Sequence, residues 1–326
     1  MRGYHICTHS DVSSRAQLVL ALSELGNVTF SHYDGVVHPT PAFVGWYTSR
    51  PGMLPHLCQA AFAGDRLVCS VFVTLAPMVL GGDAVLCGLI DTVMTHPDHR
   101  RRGLATRLLR RAMAAMETAG ADVSLLYTAR TEPPLAPERM YRGLGYEPRE
   151  SVTRYLRPAG LVSGGVARAK QLDASARPLF ERALGALDGW LVLDDDLWRW
   201  RRIERPERYP VTLYATDSGA AAAVCSGDLM VSSAPSPVTV ISDLVLPDRS
   251  AAREDVRALM AAAPRGAPMT ILCPESSGRA GLLAELGFLA AGVEVAMIRP
   301  ISRKGAAAVS APRSEWYVAV ESLIGV

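Results

Sequence analysis

The sequence predicts an α/β (α+β) chain made of two tandem domains, each a central mixed β-sheet flanked by helices. Three observations lead there: an internal repeat, an alternation of apolar strand-like runs with amphipathic helical ones, and a length of 326 residues, about twice that of a typical domain. The repeat is gapless over one stretch. Leu144-Gly145-Tyr146-Glu147 through Tyr155-Leu156-Arg157-Pro158 aligns with Leu286-Gly287-Phe288-Leu289 through Met297-Ile298-Arg299-Pro300 at a constant offset of 142 (286 − 144). Upstream, Pro97-Asp98 and Pro247-Asp248 each close an apolar run at an offset of 150 (247 − 97), and the change between the two anchors is an ordinary loop-length difference. The expected division is a first domain over 1–159, a linker over 160–170 containing Gly164-Gly165, a second domain over 171–303 and a tail over 304–326.

In the first copy, Leu67 to Leu75 is apolar and rich in β-formers, Gly81-Gly82-Asp83 is a hairpin signal, and Val85 to Met94 reads as the returning strand. Ala105 to Glu117 has helical periodicity: Leu108, Leu109, Ala112 and Met116 share one face while Arg107, Arg110 and Arg111 take the other. Gly120 supplies the stop, Val123 to Thr128 the next strand, and a short helix ends at Leu144-Gly145. The second copy repeats the order with strands at Thr212 to Ala215, Ala220 to Val231 and Val238 to Leu246, a helix from Glu254 to Ala263, a strand from Met269 to Cys273 and a helix from Gly278 to Leu286.

Composition narrows the function classes. Hydrophobic residues make up 49% and charged residues 20%, enough for a sizeable core and too little charge for a disordered chain. The 34 basic and 32 acidic residues nearly cancel, which disfavours nucleic acid as a partner. All but Lys170 and Lys304 of the basic residues are arginine, the mark of a high-GC bacterial coding bias. Six cysteines are scattered without a C-x-x-C pair or a histidine at metal-ligand spacing, so reduced thiols and no metal are expected. The start lacks the apolar core of a secretory signal, and the longest uncharged stretch, Leu67 to Gly82, contains Pro77; a cytoplasmic protein without a membrane partner is expected.

The most informative segment is Thr95-His96-Pro97-Asp98-His99-Arg100-Arg101-Arg102-Gly103-Leu104-Ala105-Thr106, between a strand and a helix. Small residues at Gly103 and Ala105 let a ligand approach the backbone, and the first amides of the helix have no internal acceptor. Such a turn suits a phosphate or pyrophosphate, and Arg100, Arg101 and Arg102 add to the attraction.

Arg100-x-x-Gly103-x-Ala105 after an apolar strand, followed by helix, strand and Tyr141-Arg142-Gly143-Leu144-Gly145-Tyr146, resembles the GNAT superfamily of acyl-CoA-dependent N-acyltransferases over about residues 60 to 158. The resemblance implies acetyl-CoA or a related acyl-CoA as cosubstrate, its pantetheine arm lying along Val93, Met94 and Thr95. The pyrophosphate would be held by the amides of Arg101, Arg102, Gly103, Leu104, Ala105 and Thr106, beside Arg100. It also implies Tyr141 as the donor that protonates the leaving thiolate, a role a phenol can fill. One departure stands out: Pro133, Pro134 and Pro137 shorten the helix that precedes the tyrosine.

The acceptor amine must lose a proton. Asp91 is the leading base, with Glu132, Glu138, His96 or a water chain as alternatives. At the matching places in the second copy stand Ser250, Ala251, Ala252, Arg253 and Asp255, with Leu283 for Tyr141, so that copy is expected to keep the core and lose the catalysis. This resembles the tandem layout of mycothiol synthase and of the enhanced-intracellular-survival acetyltransferases.

For the acceptor wall the expected residues are His32, Tyr33, Trp46 and Tyr47, aromatics that suit an amphipathic amine. The acidic run Asp194-Asp195-Asp196 either attracts a polycationic acceptor or merely caps a helix. The apolar tail around Trp316-Tyr317-Val318 must be covered and is expected to dock on the body or a partner. The function expected is transfer of an acyl group to a small-molecule amine by a monomer or homodimer, in antibiotic tailoring or resistance. The alternatives are a non-catalytic acyl-CoA sensor or scaffold, or an acyl-CoA decarboxylase on the same fold.

Overall fold

The computed structural model describes residues 3–30, 39–160, 169–192, 194–231, 234–246, 252–263 and 266–318. His32, Tyr33, most of the expected linker and the end of the tail lie outside them. The first half runs β1 (His5–Thr8), α1 (Arg15–Phe30), α2 (Pro41–Tyr47), β2 (Gln59–Ala63), β3 (Arg66–Leu80), β4 (Asp83–Thr95), α3 (Leu104–Thr118), β5 (Val123–Ala129), α4 (Ala136–Gly143) and β6 (Glu147–Arg157). The second runs β7 (Lys170–Leu172), α5 (Arg177–Leu184), α6 (Asp195–Arg202), β8 (Val211–Ala215), β9 (Ala221–Val231), β10 (Ala234–Val245), α7 (Ala252–Ala262), β11 (Met269–Pro274), α8 (Ala280–Glu285), β12 (Leu289–Pro300) and α9 (Arg303–Ser310).

Local chemistry accounts for these boundaries. Gly81 and Gly82 both have positive φ (62° and 81°), as a two-residue hairpin between right-twisted strands requires. The apolar stripe Leu104, Leu108, Leu109, Ala112 and Met116 buries α3 against β2, β3 and β4. Helix α4 begins only at Ala136, after Pro133 and Pro134, with Pro137 in its first turn. Asp194 caps α6 by accepting the Leu197 N–H at 2.7 Å, and Asp195 and Asp196 pair with Arg177 and Arg199, so the acidic run is a capped, solvated helix start.

Among the described residues all strands join one twelve-stranded mixed sheet in the order β1-β2-β3-β4-β5-β12-β6-β11-β10-β9-β8-β7. Its hydrogen bonds do not follow the chain division expected at 160–170. Strand β12 of the second half lies between β5 and β6, and β6 lies between β12 and β11, so each half completes its sheet with the other's last strand. The repeat explains the geometry. Val152 faces Glu294 across the antiparallel β6–β12 pair, and these positions differ by the repeat offset of 142 (294 − 152). On either side the pairing is exchanged, Ser151 facing Val295 and Thr153 facing Val293, which places a local two-fold axis through the Val152–Glu294 pair at the middle of the sheet.

Helix packing sets two faces. A Cβ at Gly88 would meet the Met116 sulfur at 2.1 Å, so Gly88 points at α3 and its lack of a side chain permits the close approach. Ser124, its parallel partner, bonds Tyr146 at 2.7 Å, and Tyr146 packs edge-on against Tyr141 of α4. Helices α3 and α4 therefore share one face. By alternation Asp91 and Tyr127 point to the other, where Phe72, the partner of Asp91, meets Tyr47 of α2. Among the described residues no helix is long and apolar enough to cross a membrane, and no cluster of ligating side chains could hold a metal ion.

Candidate active site

The site begins with an opening in the sheet. Strands β4 and β5 pair in parallel only from Cys87–Val123 to Leu89–Leu125, although β4 continues to Thr95 and β5 to Ala129. Beyond Leu89 the strands part. A β-bulge accompanies the parting: between the pairs Phe72–Asp91 and Ser70–Met94, β4 carries one extra residue, and Thr92 takes a positive φ of 47°. His96 donates its N–H to Val68 O on β3 at 2.9 Å, so alternation turns the Met94 backbone the same way. Val93 and Thr95 then present theirs to the open edge. Of the three residues expected along a pantetheine arm, these two can pair with it, while the Met94 side chain is buried in the core.

At the end of β4 the chain turns into α3. Arg101 (φ 60°) and Gly103 (φ 73°) are both left-handed, and Gly103 is the N-cap. An added Cβ at Gly103 would touch nothing within 4 Å, so the glycine serves the backbone angle and leaves the front of the turn open. The helical ladder starts with Arg107 N–H to Gly103 O at 3.0 Å, and none of the amides from Arg101 to Thr106 donates to another described group. Alternating left- and right-handed residues ahead of a helix N-terminus form an anion-binding hollow. Two arginines serve the scaffold more than the anion. Arg100 donates to Thr95 O at 3.2 Å and Thr29 O at 3.3 Å; Arg102 donates to the Tyr4 hydroxyl at 2.9 Å and Asp98 O at 3.0 Å.

Tyr141 lies on the α3–α4 face, 6% exposed. Burial, reinforced by Tyr146, pushes its phenol well above the ordinary tyrosine range, so it holds its proton throughout the working pH range of a protein. Its hydroxyl makes no hydrogen bond to a described group. The backbone fixes the ring: Leu144 and Tyr146 both donate their N–H to Tyr141 O, at 3.0 and 3.1 Å. Leu286 and Phe288 do the same to Leu283 O, at 3.1 and 3.0 Å, which identifies Leu283 as the counterpart that lacks a hydroxyl.

Asp91, the expected base, is held in a buried ion pair. Its carboxylate meets the Arg50 guanidinium at 2.6 Å, with both side chains essentially inaccessible, and Arg50 also donates to Thr74 Oγ1 at 2.6 Å. The Asp91 carboxylate is thus engaged in a buried ion pair that ties β4 to β3 and to the segment after α2. The second half keeps a similar pair: buried Asp243, beside the matching bulge in β10, bonds Arg202 and lies 3.2 Å from Arg201. Nearby arginines hold the Asp243 carboxyl below the usual carboxylate range despite its burial. Both pairs anchor a bulged strand.

Trp46 and Tyr47 are core residues, 8% and 4% exposed. Trp46 stacks on Trp200 of α6 at 4.4 Å, and each indole N–H donates to the other's backbone carbonyl, at 3.3 and 3.0 Å. The pair rivets the halves together instead of walling an acceptor. Arg50 lies over the Tyr47 ring at 4.8 Å. Of the other proposed bases, Glu138 is buried and bonded to Arg142 at 2.7 Å, and His96 is buried between Arg66 and the Asp98 amide.

The tail docks as expected, but sequence reasoning missed what it touches. Tyr317 donates its N–H to Asp188 O at 2.7 Å, and the Trp316 indole donates to the Tyr127 hydroxyl at 3.1 Å. A Cβ on Gly189 would strike the Trp316 ring at 2.4 Å. Tyr127 sits on the diverging part of β5, so the tail reaches the edge of the opening. Only an unexplained apolar stretch after residue 315 signalled this in the sequence.

Residues 30–149 match the family model of the GNAT acetyltransferase domain. No curated protein sequence matches the chain. Among solved structures, a GCN5-related N-acetyltransferase from Anabaena variabilis is similar at 14% identity and a TM-score of 0.62, over 93% of this chain and 74% of that one. Eis1 from Mycobacterium abscessus is similar at 18% identity and a TM-score of 0.56, over 94% and 76%. Saccharomyces cerevisiae N-myristoyltransferase with bound myristoyl-CoA reaches 0.69 at 12% identity, over 92% and 79%. Residues 30–149 thus carry a GNAT acetyltransferase domain, and the open turn before α3, the parted strands and the buried tyrosine all lie within it.

Proposed function

We propose that this protein transfers the acyl group of an acyl-CoA, acetyl-CoA or a close relative, to a small-molecule amine by direct attack. The observation that carries the reading is the run of uncommitted amides from Arg101 to Thr106, placed where β4 leaves β5. The residues fit the coenzyme: the amides would take its diphosphate, and the outward edge of β4, the Val93 backbone and the Thr95 N–H, would pair with the amides of its arm, Thr95 O being held by Arg100. The amine nitrogen forms a bond to the thioester carbonyl carbon and the carbon–sulfur bond breaks. Val93 N–H stabilises the charge that develops on the carbonyl oxygen, and the Tyr141 hydroxyl gives its proton to the departing sulfur. The amine's own proton leaves to solvent, which also reprotonates Tyr141. Asp91 and Arg50 hold the bulge that aims Val93. The second half, with Leu283 in place of Tyr141, is a supporting copy of the same fold. Calorimetric titration with CoA, followed by thiol release against a panel of amines, tests the reading. Binding with thiol release supports it; binding without release from any amine supports a sensor instead, and no binding rejects both.

A further inference from the structure

An open cleft of about 590 Å³, the size of a small-ligand pocket, lies across β5 and β12 from the parted strands, where the start of β6, the turn after β11 and the tail meet. Its cations and anions are unequally committed. Arg149, with its side chain 6% exposed, donates from Nη1 to Val309 O at 3.0 Å, while its buried Nη2 has no hydrogen-bond partner. The one carboxylate within 4 Å of it among the described residues is that of Asp188, at 3.7 Å, and this already accepts the N–H groups of Gly81 at 2.8 Å and Ser314 at 3.3 Å. Arg313 reaches across to Arg149 O at 3.4 Å, and Arg130, exposed at the rim, donates to Ser151 Oγ at 2.7 Å. Two of the three acids of the lining are engaged, Glu315 2.6 Å from Arg279 and Glu150 accepting the Ser276 N–H at 2.8 Å, while the third, Glu275, is exposed to solvent. Burial and the neighbouring Arg313 depress the Arg149 guanidinium below its usual range, the mark of a cation short of a close counter-charge.

We propose that this cleft binds the carboxylate or phosphate group of a small organic anion, held by Arg149 and Arg313 with Arg130 at the mouth. Planar guanidiniums with unspent donors match the paired oxygens of either group. The site is separate from the amides before α3 and does not depend on the acyltransfer reading.

The experiment is calorimetric titration of the full chain, saturated with CoA so that the loop amides are occupied, with succinate and with inorganic phosphate. The expected result is saturable binding of at least one anion, weakened about tenfold or more by Arg313→Ala, whose exposed side chain can be removed without opening the core, and also by Arg149→Lys. Preference for succinate assigns the carboxylate, preference for phosphate the phosphoryl group. Absence of binding by either anion, or binding untouched by Arg313→Ala, overturns the proposal. If CoA itself does not bind, the acyltransfer reading falls, and the same titration with and without Arg313 still decides this one.

Discussion

In the acyl transfer proposed above, Tyr141 supplies the hydroxyl that protonates the departing sulfur. Its ring is fixed by the end of α4 and its proton is retained by burial, so Tyr141→Phe should lower kcat by about tenfold or more while the Kd for CoA stays within about twofold. Asp91→Asn should show a different signature. It strands the Arg50 charge in the core, a loss of about 3–5 kcal/mol in a urea melt, but a variant that folds should keep the wild-type pH–rate profile. Disappearance of the acidic limb of that profile would restore Asp91 as the base. His9 supplies a pH effect of a third kind. Burial lowers its pKa from 6.5 to about 4, and its ring bonds Ser70 Oγ at 3.0 Å. The unfolded chain takes up a proton near pH 6.5 that the folded chain refuses until about pH 4, so stability should fall by roughly 3 kcal/mol across that window as pH drops. His9→Gln should flatten the dependence in chemical melts at pH 7 and pH 4.

At the scale of elements, the parting of β4 from β5 and the turn before α3 act as one device. The bulge at Thr92 rotates the strand edge outward, and the left-handed Arg101 and Gly103 turn the following amides toward the same opening. Gly103→Val adds a β-branched side chain where no neighbour obstructs it but where φ is 73°, so its penalty is backbone strain alone. The expected outcome is a Kd for CoA raised about tenfold or more, with the helical signal of α3 preserved in circular dichroism. Unchanged affinity would show that the amide hollow is not the diphosphate site.

For the whole molecule, the exchange of β6 and β12 makes the two halves one continuous sheet, for which a single unfolding transition is expected, and the Trp46–Trp200 stack closes the joint on one face. Removing either indole deletes a large buried ring and one of the two indole–carbonyl hydrogen bonds across the joint. Trp46→Ala and Trp200→Ala should each cost about 3–5 kcal/mol, and a double-mutant cycle should give a coupling of about 0.5–1.5 kcal/mol from the stacked pair. Additive losses, or two separate unfolding transitions in a thermal scan, would show that the halves fold as independent units.

How much of this was legible in the sequence follows from the range of the interactions involved. Strand and helix positions in both halves were readable because apolar periodicity, glycine turns and capping residues act over a few neighbours. The loop from Arg100 to Thr106 was readable for the same reason, as was the contrast between Tyr141 and Leu283. The repeat was readable too, but not its consequence, since nothing local distinguishes a strand that returns to its own half from one that crosses to the other. Pairing across a hundred residues and more also decided that Arg50 takes Asp91, that Trp46 belongs to a joint and not to an acceptor wall, and that Arg149 and Arg313 meet beside a cleft. Short-range steric and hydrogen-bond preferences wrote the elements and the anion hollow into the chain, whereas the partners of buried charges were set by the three-dimensional closure of the sheet.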